Sequence, residues 1–167
     1  MALLQTKRFR LRPLALSDAP SMTRLLSEDT EAVRMTERLP EPCTEPAARN
    51  WIKHRQGPGE HVFAIETLED GVFIGCIGFK KVSDGAGLGY WVGRPFWNRG
   101  SATEAGQAIL DHARSLGVRT IMAETFPENR ASARVLSKLG FTADGQIEKN
   151  LPQRGGQRQL LQFRRTF

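Results

Sequence analysis

The sequence has two cysteines, one tyrosine and no long apolar run. The cysteines, Cys43 in a proline-rich stretch and Cys76 in a predicted strand, are a weak basis for a disulfide and none for a metal site. No apolar run approaches the ~20 residues of a membrane span, and the first residues lack the basic-then-apolar order of a secretion signal. We therefore expect a protein of the reducing cytoplasm that uses neither a metal ion nor a membrane.

Two common phosphate-binding patterns are also missing. The chain contains neither Gly-x-x-x-x-Gly-Lys-Ser/Thr nor Gly-x-Gly-x-x-Gly, which argues against a nucleoside triphosphatase and against a dinucleotide-binding enzyme. The three histidines, His54, His61 and His112, fall far apart in separate predicted elements, so they suggest no catalytic triad.

The overall composition is that of an ordinary folded protein. Hydrophobic residues make up 40% and charged residues 25% of the chain, which favours one globular domain spanning residues 1–167. The net charge of +6 comes from basic residues scattered along the chain, so we do not expect nucleic-acid binding. A polyanionic cofactor, an acidic partner or plain solubility explains this charge equally well.

The most informative stretch, residues 89–105, has the pattern of a strand, a glycine-containing turn and a helix start. Residues 90–92 are strand-forming types, and Gly93 and Pro95 end the strand. The turn at residues 98–102 holds small or polar residues apart from its arginine. Because N–H groups at a helix start are unpaired and the helix dipole is positive there, this turn predicts a phosphate-binding site.

The rest of the chain alternates between strands and helices. Helices are predicted after the caps Ser17 and Thr44, over residues 102–116, and over residues 127–141 with Asn129 as N-cap and Gly140 after the last turn. Strands are predicted at residues 7–14, 61–67, 72–81, 88–93, 118–126, 141–148 and 157–165, with loops at 34–43 and 149–156. Gly75 and Gly78 inside one strand suggest a site or a tight contact within the sheet.

Two motifs in this order resemble the GNAT N-acetyltransferase superfamily, in the form of its ribosomal-protein N-terminal acetyltransferase branch. The first is matched at Gly89, Tyr90, Trp91, Val92, Gly93, Trp97, Arg99, Gly100, Ala102, Thr103, Glu104 and Ala105. The second is matched at Asn129, Ser132, Leu136, Lys138, Gly140 and Phe141. The chain departs from the first motif at Asn98 and Ser101, where the family often has glycine and tyrosine. Asparagine tolerates positive φ, so the turn can survive the first change.

The resemblance implies an α/β GNAT fold (α+β in some schemes). Its sheet is mixed and mostly antiparallel, it splays between the fourth and fifth strands, and helices cover both faces. The resemblance also implies acetyl-CoA as co-substrate, with its pantetheine arm beside the fourth strand and its pyrophosphate on the following turn. The residues assigned to acetyl-CoA in this way are Trp91, Val92, Gly93, Trp97, Asn98, Arg99, Gly100, Ser101, Ala102, Thr103, Asn129 and Ser132. For Trp91 and Trp97 core packing is an equal alternative, and Asn129 is first a helix cap.

The implied reaction is direct attack of an amine on the thioester, which needs a base, an oxyanion donor and a proton for the thiolate. An N–H near Trp91 or Val92 is the implied oxyanion donor. The helix position that carries an acidic tyrosine in many relatives is Leu136 here, so Ser132 becomes the candidate acid, with helix capping as its alternative role. Glu124 is the candidate base because a glutamate common on the fourth strand is missing; Glu66 is a weaker choice.

Two acceptor classes stay open: the N-terminal α-amine of a protein and the amine of a small molecule. We expect acceptor specificity in the loop at residues 34–43, the second helix and the loop at 149–156. The missing tyrosine and glutamate leave a catalytically silent domain that binds coenzyme A or a partner protein as an alternative. The resemblance also allows a homodimer.

Overall fold

The computed structural model describes residues 2–167, which form one eight-stranded sheet with helices on both faces. The strands are β1 Leu4–Gln5, β2 Phe9–Pro13, β3 Glu60–Thr67, β4 Phe73–Val82, β5 Gly85–Val92, β6 Thr120–Thr125, β7 Thr142–Leu151 and β8 Gly156–Thr166. The helices are α1 Ala19–Leu26, α2 Thr30–Arg34, α3 Glu45–His54, α4 Ser101–Ser115 and α5 Arg130–Lys138. Short 3-10 turns occupy Leu16–Asp18, Arg94–Phe96 and Pro152–Arg154.

The sheet has the strand order β1-β2-β3-β4-β5-β6-β8-β7. Every neighbouring pair is antiparallel except β5 and β6, which run parallel. That parallel pair is joined only at Ala86 with Ile121 and at Gly87 with Met122. The expected mixed sheet with a splay in the middle is therefore confirmed.

Successive side chains of the strands pack into two separate cores, one on each face of the sheet. On β3, Phe63 and Ile65 face the core beneath α4 and α5, whereas Val62 and Ala64 face the core beneath α1 and α3. The central strands are covered by helices on both faces, so both of their faces are apolar. The sequences of these strands therefore lack a simple alternation of apolar and polar residues.

The glycines of β4 mark a tight contact within the sheet. A Cβ placed on Gly75 would stand 2.2 Å from the carbonyl oxygen of Trp91, and one on Gly78 would stand 2.4 Å from that of His61. Of the two explanations offered for these glycines, the close approach of neighbouring strands is the one observed.

The predicted helix caps are confirmed where a side chain accepts a backbone hydrogen bond. Thr44 Oγ1 accepts from the N–H of Ala47, and Asn129 Oδ1 accepts from the N–H of Ser132. The expected cap at Ser17 is wrong. Asp18 precedes the first helix and turns its carboxylate back to the N–H of Ala15, so the chain first forms a 3-10 turn.

Several predicted boundaries differ from the observed ones. The fourth predicted strand begins at Gly85 rather than at residue 88, because the hairpin with β4 pairs as far as Val82 and Gly85. The predicted loop at 149–156 is shorter, since β7 continues to Leu151 and Lys149 pairs with Arg158 of β8. Cross-strand pairing outweighs the polar composition there. The two-residue strand β1 and the short helix α2 carry too few residues for a sequence pattern to predict them.

Cys43 and Cys76 are buried and unpaired, each on the α1 and α3 side of the sheet. Within residues 2–167, no helix is both long and apolar enough to cross a membrane.

Candidate active site

A cleft of about 950 Å³ opens where β5 and β6 separate. Its walls combine β5, the turn after it, the β6 strand, the start of α5 and the loop that follows α2. The residues assigned from the sequence to acetyl-CoA, the candidate acid Ser132 and the candidate base Glu124 all line this cleft, except Gly93 and Arg99. One cavity thus brings together both sequence motifs and the loop expected to face the acceptor.

The turn before α4 presents a row of free backbone donors to the cleft. None of the N–H groups of residues 98–103 has a hydrogen-bond acceptor within residues 2–167. Asn98 and Gly100 both have positive φ, 59° and 74°, so Asn98 does take the place of a glycine in the turn. Arg8 lies beside it, with Nη2 3.6 Å from where a Cβ on Gly100 would stand. Free donors at a helix N-terminus bind anionic phosphate groups, so these residues fit the pyrophosphate of acetyl-CoA.

The backbone of β5 offers fewer free groups than its motif suggested. The N–H of Gly93 donates to the carbonyl of Ile74 at 2.8 Å, so it points toward β4 and away from the gap. Because backbone groups alternate along a strand, the N–H groups of Trp91 also face β4, and those of Tyr90 and Val92 face the gap. The carbonyl of Val92 accepts a hydrogen bond from the Trp97 indole at 2.6 Å. Pairing through the N–H groups of Trp91 and Gly93 is therefore not available, and the N–H groups of Tyr90 and Val92 are the donors that face the gap.

The two tryptophans hold this region in shape. Trp91 is only 7% exposed and packs against Phe73 in the core, with 5.8 Å between the ring centroids. Trp97 is partly exposed, and the guanidinium of Arg94 lies 4.3 Å from its ring centroid. Trp91 thus packs in the core and also lines the cleft, whereas Trp97 ties the turn to the end of β5.

Tyr90, which the family motif did not assign to catalysis, contacts the predicted acid Ser132. The Tyr90 hydroxyl lies 2.6 Å from that of Ser132, across the gap between β5 and α5. Burial raises the pKa of Tyr90 to about 12, although the hydrogen bond with Ser132 acts in the opposite direction. The phenol is therefore protonated at neutral pH. Asn129 caps α5, so the Ser132 hydroxyl has no capping task and stays available to Tyr90.

The candidate base Glu124 is part of an ion-pair network. The ammonium of Lys149 on β7 contacts Glu124 on β6 and also Glu37 in the loop after α2, the latter at 3.2 Å. Burial raises the pKa of Glu37, and the charge of Glu124 adds to this effect against the opposing effect of Lys149. Burial lowers the pKa of Lys149, but its contacts with Glu124 and Glu37 outweigh burial and raise that pKa overall.

The loop carrying Glu37 is fixed in place by a buried arginine. The Arg154 side chain is 1% exposed and comes from the turn between β7 and β8. It donates to the carbonyls of Thr36 at 2.8 Å and Leu39 at 2.6 Å, and also to that of Val33. The predicted acceptor regions at 34–43 and 149–156 are thus one joined wall of the cleft.

Two other expectations concern residues away from the cleft. Glu66 forms ion pairs with Arg10 and Arg12 on β2 and does not line the cleft, so the weaker candidate base is wrong. The histidines are not all far apart, because the packing of α4 on β3 brings the rings of His61 and His112 to 6.1 Å. Neither histidine lines the cleft.

Comparisons with known proteins identify the class. A family model described as an acetyltransferase (GNAT) domain matches residues 8–142. The chain is 32% identical over 157 residues to an uncharacterized N-acetyltransferase, p20, of Bacillus licheniformis, covering 87% of this chain and 85% of that protein. The chain therefore belongs to the GNAT acetyltransferase family and is an N-acetyltransferase, which confirms the resemblance found in its two motifs.

Solved structures show the same fold. An acetyltransferase from Agrobacterium tumefaciens str. C58 superimposes with a TM-score of 0.79 at 26% identity, covering 100% of this chain and 95% of that one. RimL, a ribosomal L7/L12 α-N-protein acetyltransferase solved in complex with coenzyme A, superimposes with a TM-score of 0.84 at 18% identity, covering 99% and 98%. At that identity the second likeness concerns the fold alone.

Because Tyr90 is the only tyrosine in the chain, its ionisation can be followed directly by phenolate absorbance. We expect a midpoint at about pH 12 in the folded protein, against about 10 in denaturant. Ser132→Ala should raise the folded midpoint further, because the hydrogen bond that favours the phenolate is lost. Above pH ~10 the unfolded chain binds fewer protons than the folded one, so stability should fall as pH rises. A folded midpoint near 10 would contradict the buried Tyr90–Ser132 pair.

Proposed function

We propose that the chain transfers an acetyl group from acetyl-CoA to a primary amine by direct attack of the amine on the thioester. The observation that carries this proposal is the row of unpaired N–H groups at residues 98–103 beside the gap between β5 and β6. A phosphate-binding turn next to an open strand edge suits a long cofactor that has a diphosphate at one end and amides along its arm.

The residues of the turn bind the diphosphate, and β5 binds the arm. The N–H groups of residues 98–103 donate to phosphate oxygens, while Arg99 and Arg8 add positive charge at the turn. The Val92 N–H donates into the gap, and Trp97 keeps the carbonyl of the same residue occupied. Asn129 begins α5 on the opposite side of the cleft.

Acetyl-CoA supplies an activated acetyl group, and the residues of the chain supply donors and proton carriers. The Val92 N–H serves as the donor for the negative charge that develops on the carbonyl oxygen. Glu124 accepts the proton of the acceptor ammonium, directly or through water. The Tyr90–Ser132 pair gives a proton to the leaving thiolate and recovers one from the attacking nitrogen, which loses its second proton as it becomes an amide, so that the tyrosine does from β5 what Leu136 cannot do from α5.

The acceptor is either the N-terminal amine of a protein or a small-molecule amine. The fold shared with RimL supports the protein class, whereas a deep cleft with charged side chains suits a small amine equally well. No contact in the structure favours a silent domain or a nucleic-acid-binding module over the transferase. A homodimer and a cytoplasmic location stay predictions.

The first test is a thiol-release assay with acetyl-CoA and a panel of acceptors. The panel contains n-butylamine, aniline and hexapeptides with free N-terminal alanine or serine, each matched by its N-acetylated form. We expect sustained release of thiol with at least one free amine and none with the blocked forms. Binding of coenzyme A without turnover on the whole panel would contradict an amine acetyltransferase.

Gly100→Glu should weaken coenzyme A binding by on the order of a hundredfold or more, measured by calorimetry. The substitution strains a positive φ and places a carboxylate among donors meant for phosphate. Gly117→Glu is the matched control, since it introduces the same charge at a positive φ, 84°, beyond the other end of α4. Equal affinities of both variants would show that the turn does not bind phosphate.

Ser132→Ala and Tyr90→Phe should each lower kcat by roughly a hundredfold, with coenzyme A affinity nearly unchanged. Because the two hydroxyls act as one unit, the double variant should be little slower than either single variant. Burst kinetics and calorimetry separate chemistry from binding. Full turnover in Ser132→Ala would show that the Ser132 hydroxyl takes no part in proton transfer.

A further inference from the structure

The part of the cleft opposite the phosphate-binding turn already holds a primary ammonium group. Lys149 Nζ lies between the carboxylates of Glu37 and Glu124, and all three residues line the cleft. The two carboxylates share the ammonium of Lys149, and the guanidinium of Arg38 lies near enough to Glu37 to act against the rise of its pKa. In a chain whose net charge is +6, this paired set of carboxylates is a point that already binds a cationic group.

We propose that Glu37 and Glu124 form the receptor for the acceptor's ammonium group and that Lys149 occupies this place until an acceptor displaces it. The inference rests on the proposed function and deepens it, because it names the chemical class of the acceptor. That class is a primary amine that is protonated at neutral pH. An arylamine, which is uncharged there, would lack the charge that the receptor binds.

Glu37 and Glu124 lie on segments that are held more firmly than the side chain of Lys149. Arg154 fixes the carbonyls on both sides of Glu37, and Gln153 Nε2 donates to the carbonyl of Glu37 itself at 3.2 Å. Glu124 is held by β6, which pairs with β8 along its whole length. Lys149 instead reaches the site by a flexible four-carbon chain, and its side chain is 34% exposed. The lysine can therefore swing out while the two carboxylates stay in place.

The surroundings of Glu37 also favour its uptake of a proton. Burial and the neighbouring Glu124 raise the pKa of Glu37, while Lys149 and Arg38 oppose that rise. When an acceptor replaces Lys149, one proton passes from its ammonium to the carboxylate pair, leaving a neutral amine with a free electron pair. The carboxylate pair later gives that proton to water, so the charge balances over one cycle.

A purely structural ion network predicts a different response to mutation. In such a network Lys149 holds the two glutamates in place and each glutamate helps to hold Lys149, so removing the lysine or a glutamate should impair the enzyme in the same direction. If Lys149 instead competes with the acceptor, the substitutions should have opposite effects on the KM for the acceptor. Removing the lysine should lower this KM, and removing a glutamate that binds the acceptor should raise it. The sign of the effect of Lys149 therefore separates the two explanations.

The experiment measures KM and kcat for n-butylamine, with its acetylated product quantified by mass spectrometry. Lys149→Met should lower the KM for n-butylamine several-fold, and Glu37→Gln should raise it on the order of tenfold by removing one charged hydrogen bond. Coenzyme A affinity should stay unchanged in both variants, which also shows that they fold. Lys81→Met is the matched control: it removes the same charge outside the cleft, where Lys81 Nζ contacts the carbonyl of Leu116, and should leave both constants unchanged.

A raised KM in both Lys149→Met and Lys149→Gln would overturn the proposal, since it identifies the lysine as a structural support. Faster acetylation of aniline than of n-butylamine by the parent enzyme would overturn it as well. If the parent enzyme acetylates hexapeptides and n-butylamine while Lys149→Met leaves KM unchanged, the receptor fails but the transferase stands. If the parent enzyme acetylates no amine, the proposed function fails and the receptor fails with it.

Discussion

The cleft depends on β5 and β6 pairing at only one end. Two parallel residue pairs join these strands, after which they diverge and leave the backbone groups on one edge of β5 without a strand partner. Unpaired backbone groups inside a protein are costly unless a ligand or water satisfies them. The gap and the cavity are consequences of this single interruption in the sheet, and the start of α4 adds its free N–H groups beside them.

Local signals predicted the parts of the site that depend on a few consecutive residues. The turn at Asn98 and Gly100, the cap at Asn129 and the strand leading into the turn are set by φ preferences and short-range hydrogen bonds, which sequence patterns report well. The same patterns could not say which backbone groups of β5 remain free. That depends on the register with β4, which ties up Gly93, and on Trp97 reaching back to Val92.

Contacts between distant parts of the chain were beyond sequence reasoning. Tyr90 and Ser132 are 42 positions apart, and the family resemblance pointed only to the helix on which relatives carry tyrosine. The predicted strand through residues 88–92 did indicate where Tyr90 lies. Because successive side chains of a strand point to opposite faces, Tyr90 is on the face opposite Trp91. Glu37 and Lys149 meet because Arg154 joins two loops, and nothing in the sequence around a single arginine indicates that it is buried.

The most direct measurement of the central claim follows the backbone amide signals of isotopically labelled protein by NMR while coenzyme A is added. Binding through the open backbone predicts that the largest shifts fall on the amides of residues 98–103 and of Val92, with Gly93 less affected because its N–H is already paired with Ile74. Shifts confined to other parts of the chain, with these amides unchanged at saturation, would contradict the account.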